Sequence, residues 1–372
     1  MKILAIEPYY GGSHKAFLDS LQKLSCHEWT ILKMPAYKWK WRMRGSAISF
    51  ASEVKELLGG GESWDVLFFS DMLNGAEFCG LCPQIASKAA KVMYFHENQL
   101  TYPVRFEDER DYQFVMTNMT SALCCNEVWF NSAFHRDSFL DSLEVFIKRM
   151  PDNQPVGEVG RIREKSFVYP QGIWPIGTDG QRRAGPLRIL WAGRWEHDKR
   201  PEDFFEALKI IEDRVDFELS VIGESFRDEP EIFGWAKEHF CERIVNWGYQ
   251  KNRADYEDVL RDSDIIVSTA GHEFFGVGVV EAVSAGCVPL LPERLAYPEV
   301  FGGNGDEFRS EFFYDGSVRG LADKLAAAAE KLANDELFPM GGCEKIVEKY
   351  YWPKLISRYD IGLERLAGLR QG

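Results

Sequence analysis

The sequence predicts an α/β fold in two halves, each with a mostly parallel sheet. Three observations carry that reading. Short apolar runs alternate with helical patterns along the whole chain. The alternation restarts at Leu187, just after a Pro/Gly-rich run at Pro170–Gly180 that has the character of a linker. The runs Lys91–Phe95 and Leu187–Ala192 each end in a polar loop, where open α/β sheets take their ligands.

At 372 residues the chain is long enough for two cores, and 45% hydrophobic content marks it as globular. No apolar run reaches membrane-spanning length. Met1–Glu7 turns acidic too soon for a signal peptide and reads as a first strand. Eight cysteines, two of them adjacent at Cys124-Cys125, do not form a disulfide framework, so the cytoplasm is the expected compartment. The lone Cys79-Gly-Leu-Cys82 has no second pair or histidine at zinc spacing and reads as structural. A net charge of −14 argues against polyanion binding by the whole surface but permits a local basic patch.

In chain order, strand Lys2–Glu7 is followed by a glycine loop, Pro8–His14, and a helix to about Leu24 that Ser13 can cap. Gly11 and Gly12 allow a ligand to approach the backbone at that helix start, although the loop is neither a P-loop nor G-x-G-x-x-G. After strand Trp29–Met34 comes Tyr37-Lys-Trp-Lys-Trp-Arg-Met-Arg44. In extended backbone Lys38, Lys40, Arg42 and Arg44 share one face, and Trp39, Trp41 and Met43 the other. Such a run is either an edge strand with inward tryptophans or a nucleic-acid contact, with cations for phosphates and aromatic faces for unstacked bases.

Helix Ser46–Leu58, strand Trp64–Ser70 and strand Lys91–Phe95 continue the alternation. The last leads to His96-Glu-Asn-Gln99, placing a histidine at a strand's carboxyl end. Helix Tyr112–Leu123, strand Glu127–Ser132, helix Phe134–Arg149 and strand Ser166–Tyr169 complete the first half, with Arg161, Arg163 and Lys165 read as solvated. The second half runs through strand Leu187–Ala192, a loop bearing Arg194 and Lys199, and a helix after Pro201. Strand Glu218–Gly223, helix Pro230–Phe240, strand Ile244–Trp247, a Gly248-Tyr249 turn and helix Ala254–Asp262 follow. Arg294–Glu299 borders the ligand side, Leu321–Leu332 is a helix, and Tyr350–Leu369 is an aromatic, then amphipathic, tail.

The most informative stretch is Gly271–Pro289, GHEFFGVGVVEAVSAGCVP. It follows a buried-type strand, Asp264–Thr269, and forms a helix from near Gly276 to Gly286 before strand Cys287–Leu291. The N–H groups of Gly276, Val277 and Gly278 have no partners inside such a helix and suit an anion such as a diphosphate. Glu273 precedes the helix and Glu281 lies about 7–8 Å along its axis, so one acid can meet a sugar and the other a ribose. Among Val279, Val280, Ala282 and Val283, Glu281 is expected to be buried, where a carboxylate without a partner is costly.

These residues resemble the retaining glycosyltransferases of family 4, whose signature of two glutamates with seven residues between them is met by Glu273, Phe275, Gly276, Glu281, Ala282, Gly286 and Pro289. The resemblance implies a GT-B fold: two Rossmann-like domains facing a central cleft, with a C-terminal helix crossing back to the first. The expected limits are 1–175 for the acceptor domain, 186–350 for the donor domain and 351–372 for that helix. It also implies that Arg194 and Lys199 hold the leaving diphosphate, Glu273 orients the sugar, Glu281 the ribose, and His96 the sugar near the reacting centre. Gly12 faces the donor, while Ser13, His14 and Asn98 line the acceptor side. The turn at Gly248 and Tyr249 takes the nucleobase. Arg200 stands where the family often has glycine. No catalytic metal and no resident cofactor are expected.

A closer resemblance lies in EPYYGGSHKAF at 7–17, YFHENQLTYP at 94–103 and TAGHEFFG at 269–276. These are similar to the glycosyltransferase-like domain-containing 1 family, the tRNA-queuosine α-mannosyltransferases. That resemblance implies transfer of mannose from GDP-mannose to queuosine in the anticodon loop of tRNA-Asp, with the run at 37–44 as its RNA contact. The residues by themselves reach only nucleotide-sugar transfer. A family 4 enzyme with a lipid or small-molecule acceptor, and a non-catalytic nucleotide- or nucleic-acid-binding module, stand as alternatives.

Overall fold

The computed structural model describes residues 1–104, 110–178, 185–225, 228–302, 309–338 and 342–368. It resolves into two compact units, Met1–Gly172 with Trp352–Gly372, and Ile173–Tyr351. In the first unit lie β1 (Lys2–Tyr10), β2 (Glu28–Pro35), β3 (Val66–Ser70), β4 (Ala90–Phe95), β5 (Glu127–Phe130) and β6 (Ser166–Val168). They form one parallel sheet in the order β2-β1-β3-β4-β5-β6. In the second lie β7 (Leu187–Ala192), β8 (Phe217–Ile222), β9 (Ile244–Gly248), β10 (Ile265–Val267), β11 (Val288–Pro292) and β12 (Phe313–Tyr314). Their order is β12-β11-β10-β7-β8-β9, again parallel.

Both orders reverse direction once, between β1 and β3 and between β7 and β10. At such a switch point the two flanking connections leave on opposite faces, opening a crevice at the strands' carboxyl ends. Central strands covered on both faces are apolar almost throughout, so β3, β4 and β10 are buried at every residue. The register of β7 on β10 is pinned by a buried pair, in which Asp264 accepts from the Arg188 backbone N–H (2.9 Å), Nε (3.0 Å) and Nη2 (2.7 Å). The last helix, Trp352–Gly368, belongs to the first unit. There Trp352 packs 5.6 Å from Phe17, and the Tyr359 hydroxyl donates to the carbonyls of Tyr169 and Pro170.

Three readings of the sequence are corrected. The run at 37–44 is not extended: helix Trp39–Gly59 begins inside it, with Lys38 at its N-cap in the left-handed region. Residues two apart on a helix are about 200° apart, so the shared basic face dissolves. What draws the run into a helix is Met43, buried against Met72 and Phe114, with Trp39 beside them. Second, Ser13 does not cap its helix; Gly11 is the N-cap, without a side-chain bond, and Ser13 is exposed. Third, Lys165 is half-buried rather than solvated, and its ammonium donates to the carbonyls of Leu123 and Cys125.

Helices Gly75–Leu81 and Val156–Glu164 and strand β12 were absent from the sequence pattern. The first carries a legible signal, since Asn74 accepts from the Glu77 N–H as its N-cap. All eight cysteines are free thiols, and Cys82 donates to the Ala51 carbonyl in the core. Of the predicted linker Pro170–Gly180, Asp179 and Gly180 lie outside the described residues, as does Leu369 at the end of the predicted tail.

Candidate active site

In the second unit, the loops after β7 and β10 meet at the switch point. Lys199 comes from the first loop, and its ammonium donates to the His272 carbonyl (2.8 Å) and approaches Glu273 Oε2 (3.4 Å) and Asp198 (3.2 Å). Glu273 Oε1 accepts in turn from the backbone N–H groups of Phe274 (3.1 Å) and Phe275 (3.4 Å). The loop is braced from behind by Arg294, which donates to the carbonyls of Ala270 and Thr269, and by Tyr297, whose hydroxyl lies 2.6 Å from that of Ser268.

Charge in this set is strongly coupled. Burial alone would lower the Lys199 pKa, but Glu273 and Asp198 outweigh it and hold it above the ordinary lysine value. Burial would likewise raise Glu273, yet Lys199, His272, the Phe275 N–H and Arg194 together hold it below the usual range. Burial, and then Lys199, push His272 down to about 4, so it is neutral at pH 7. The loop therefore keeps a charged ammonium and carboxylate side by side.

Gly276 opens helix Val277–Ser284 at φ 84°, where a side chain is strained. A Cβ there would stand 3.1 Å from Tyr297 Cε1 and 3.6 Å from Glu273 Cγ. Gly276→Ala is expected to cost about 1–2 kcal/mol of stability and to raise the donor KM. Urea unfolding and steady-state kinetics identical to wild type would refute that role.

Arg194, about 39% exposed, lies 3.3 Å from Glu196 and acts electrostatically on both Lys199 and Glu273. Glu281 corrects the argument made for it. It is partly buried but already partnered, accepting from Arg253 Nη1 and the Tyr256 hydroxyl, both at 2.8 Å. Both partners stand on the neighbouring helix Arg253–Arg261, which periodicity within Gly271–Pro289 could not reveal. Phe275 is buried against Tyr350, so its part is structural apart from its backbone. Val277 is half-buried in the first helical turn; Gly248 ends edge strand β9 at φ 90°, and Tyr249 beside it is 65% exposed.

In the first unit, His96 follows β4 directly and His14 sits in the first turn of helix Gly12–Leu24. Their rings stack at 3.9 Å. His14 Nδ1 is 3.0 Å from Glu7 Oε2, and the His96 N–H donates to Asp71 Oδ1 at 2.9 Å. Burial works against a charged His14, but Glu7 outweighs it and raises the pKa to about 9. Burial, then His14 and His135, hold His96 well below its ordinary value, hence neutral. Glu7, His14 and His96 bring donor atoms within 4.8 Å of one another, as do Cys26, His27 and Glu364. In the first trio the Glu7–His14 bond and the ring stack already engage the members with each other. Gly12, at φ 50°, faces open space at the same helix start.

Asn98 departs from the expected acceptor contact. It is fully buried, and its Oδ1 accepts from the N–H groups of Leu100 and Thr101, so its amide shapes its own loop. The 37–44 run divides. Arg44 pairs with Asp111 and lies over the Phe114 ring, Arg42 donates to the Pro35 carbonyl, and Trp39 packs 5.1 Å from Phe114. Tyr37, Lys38, Lys40 and Trp41 remain exposed, Trp41 at 72%. Glu7 and Asp71 went unremarked as site residues, although each lies at or just beyond the polar end of an apolar strand.

Residues 2–173 match the family model described as tRNA-queuosine alpha-mannosyltransferase N-terminal, and residues 178–339 match glycosyl transferases group 1. The chain is 38% identical over 312 residues to the tRNA-queuosine alpha-mannosyltransferase of Drosophila melanogaster, covering 80% of this chain and 81% of that protein. It is 23% identical over 247 residues to the GDP-mannose:cellobiosyl-diphosphopolyprenol alpha-mannosyltransferase of Xanthomonas oryzae pv. oryzae, covering 64% and 62%. Among solved structures it resembles sucrose-phosphate synthase from Thermosynechococcus elongatus, with a TM-score of 0.73 at 12% identity, covering 99% and 100% of the two chains. That likeness speaks for the fold alone, and the fold is GT-B. The 38% identity, carried over 80% of the sequence, decides the rest: the chain belongs to the tRNA-queuosine α-mannosyltransferase family of nucleotide-sugar glycosyltransferases.

Proposed function

We propose that the protein transfers mannose from GDP-mannose, with retention of configuration, to queuosine in the anticodon loop of tRNA-Asp, and that it does so in the cytoplasm. The observation that carries the donor half is the Lys199–Glu273 pair beside Gly276 at the second unit's switch point. Lys199 rests on Glu273, Asp198 and the His272 carbonyl. A diphosphate at the helix start would share that ammonium, with Arg194 as a second cation. Negative charge grows on the diphosphate as the glycosidic bond breaks, so both cations act more strongly on the transition state than on the bound donor. Glu273 accepts hydroxyls of the sugar, and Glu281, held by Arg253 and Tyr256, takes the ribose. These cations supply the charge stabilisation that a catalytic metal would otherwise give. Similarity to the Drosophila enzyme supports the acceptor, and similarity to the Xanthomonas enzyme supports the guanine nucleotide.

The test is transfer from a panel of radiolabelled nucleotide sugars to tRNA with and without queuosine. Label from GDP-mannose only on queuosine-containing tRNA is expected. Label on a lipid or small acceptor, or none from any donor, would defeat the proposal.

For the RNA contact, the exposed set Tyr37, Lys38, Lys40 and Trp41 replaces the full run. An exposed indole suits an unstacked base, and the exposed ammonium groups of Lys38 and Lys40, which lie over the Tyr37 and Trp39 rings, suit phosphates. Trp41→Ala is expected to weaken tRNA binding by about 1–3 kcal/mol. Lys38→Gln with Lys40→Gln should lower the slope of log affinity against log salt by up to about 2. Unaltered affinity and slope would return the run to framework.

A further inference from the structure

The first unit's switch point holds a group of which the donor reading uses His96 alone. β1 contributes Glu7, β3 ends directly before Asp71, and β4 ends directly before His96; these three strands are adjacent in the sheet. His14 joins them from the helix after β1. Glu7, Asp71, His14 and His96 are 0, 1, 6 and 8% exposed.

Glu7 is fully engaged. Its Oε1 accepts from the Tyr9 N–H (2.8 Å) and the Ser70 hydroxyl (3.1 Å), and its Oε2 meets His14. Asp71 is not. Its Oδ1 accepts the His96 N–H, while its Oδ2 is buried with no hydrogen-bond partner among the described residues, as is His96 Nδ1. A buried carboxylate oxygen left without a donor costs about 1–3 kcal/mol or more. The carboxyl responds accordingly: burial drives its pKa up, the His14 charge opposes, and Glu97 and Glu7 add to the rise, so by itself the group favours its neutral form, and a cation beside it would restore the carboxylate.

A cation is the partner that would hold Oδ2 as a carboxylate, and the charges around it decide whether one is already present. The His14 charge is felt at Asp71 but its ring is bonded to Glu7, and among the described residues no cation pairs directly with Asp71 or the half-buried Glu97. Gln99 donates to Glu97 Oε1 at 3.1 Å but brings no charge. We propose that Asp71, assisted by Glu97, is the specificity residue for the acceptor and binds a protonated amine that lies next to the accepting hydroxyls. This rests on the reading above, because queuosine carries a secondary amine between its deazaguanine and its cyclopentene diol. The ammonium would donate to Asp71 Oδ2, and a diol hydroxyl would reach His96 Nδ1. The site would thereby distinguish queuosine from guanine at the same tRNA position by charge as well as shape.

The experiment measures binding of full-length protein to anticodon stem-loops bearing guanine, 7-aminomethyl-7-deazaguanine or queuosine. The aminomethyl loop presents the amine without the diol, so it reads amine recognition in the absence of turnover. Wild type is expected to prefer it over the guanine loop by about tenfold or more, the scale of one charge-assisted hydrogen bond. Asp71→Asn keeps the Oδ1 acceptor for His96 and should abolish the preference; Glu97→Gln, at a half-exposed position that leaves folding intact, should reduce it. Equal wild-type binding of the guanine and aminomethyl loops overturns the proposal, and so does a preference retained in folded Asp71→Asn or undiminished in Glu97→Gln. The function is judged separately, since mannose transfer by wild type to queuosine-tRNA stands or falls whatever these binding ratios show.

Discussion

Lys199→Ala is expected to lower kcat by about 10²- to 10³-fold, the cost of removing one preorganised electrostatic partner of a developing oxyanion. The donor KM should move less, since the ammonium acts more on the leaving diphosphate than on the intact one. A second effect comes with it. Against the effect of burial, Glu273 is held in its ionised form by Lys199 first, then by His272 and the Phe275 N–H. Truncating the lysine strands a half-buried charge, which is expected to lower stability. The double variant Lys199→Ala/Glu273→Gln removes that stranded charge and should regain stability without regaining turnover. A single variant with kcat within tenfold of wild type, measured on folded protein, would remove Lys199 from the chemistry.

Glu7→Gln should flatten the protein's stability between pH 6.5 and about 9. His14 has its folded pKa raised from 6.5 to about 9, chiefly by Glu7 against the effect of burial. Below pH 6.5 folded and unfolded states both hold the proton, and the stabilisation is fully present. As the pH rises above 6.5 the unfolded state loses its proton while the folded state keeps it, so stability falls until His14 itself deprotonates near 9. That interval corresponds to about 3 kcal/mol. The difference in unfolding free energy between wild type and Glu7→Gln should be near that size at pH 6 and shrink toward zero above pH 9. Glutamine can still accept from Tyr9 and Ser70, so the fold survives the change. A difference independent of pH would mean that His14 is not held charged by Glu7.

The fold was legible because burial on both faces of a parallel sheet leaves a simple mark. Apolar runs ended by glycine or charge located β7 with no change of limits and β4 within a residue. The loop after β10 was legible for a related reason: a positive-φ glycine at a helix start leaves few residue choices, and Glu273 and Gly276 stood where that geometry put them. The run at 37–44 was misread because alternation of lysine and tryptophan fits a strand locally, and only Met72 and Phe114, distant in sequence, reveal that Met43 and Trp39 face a helix-packing surface. The protein partners of Glu281 were missed in the same way, Arg253 and Tyr256 lying a helix away.

By itself the sequence determined the two-sheet architecture and the loop and helix start at Glu273 and Gly276, because each is set by local backbone demands or by neighbours a few positions apart. Tertiary structure alone decided which acids are satisfied and which are not. It gathered Glu7, His14, Asp71 and His96 at one crevice, paired the first two and gave Asp71 Oδ2 no hydrogen-bond partner among the described residues. The reason is physical: the charge of a buried group follows from the atoms packed around it, and in a parallel sheet those atoms arrive from strands far apart in the chain.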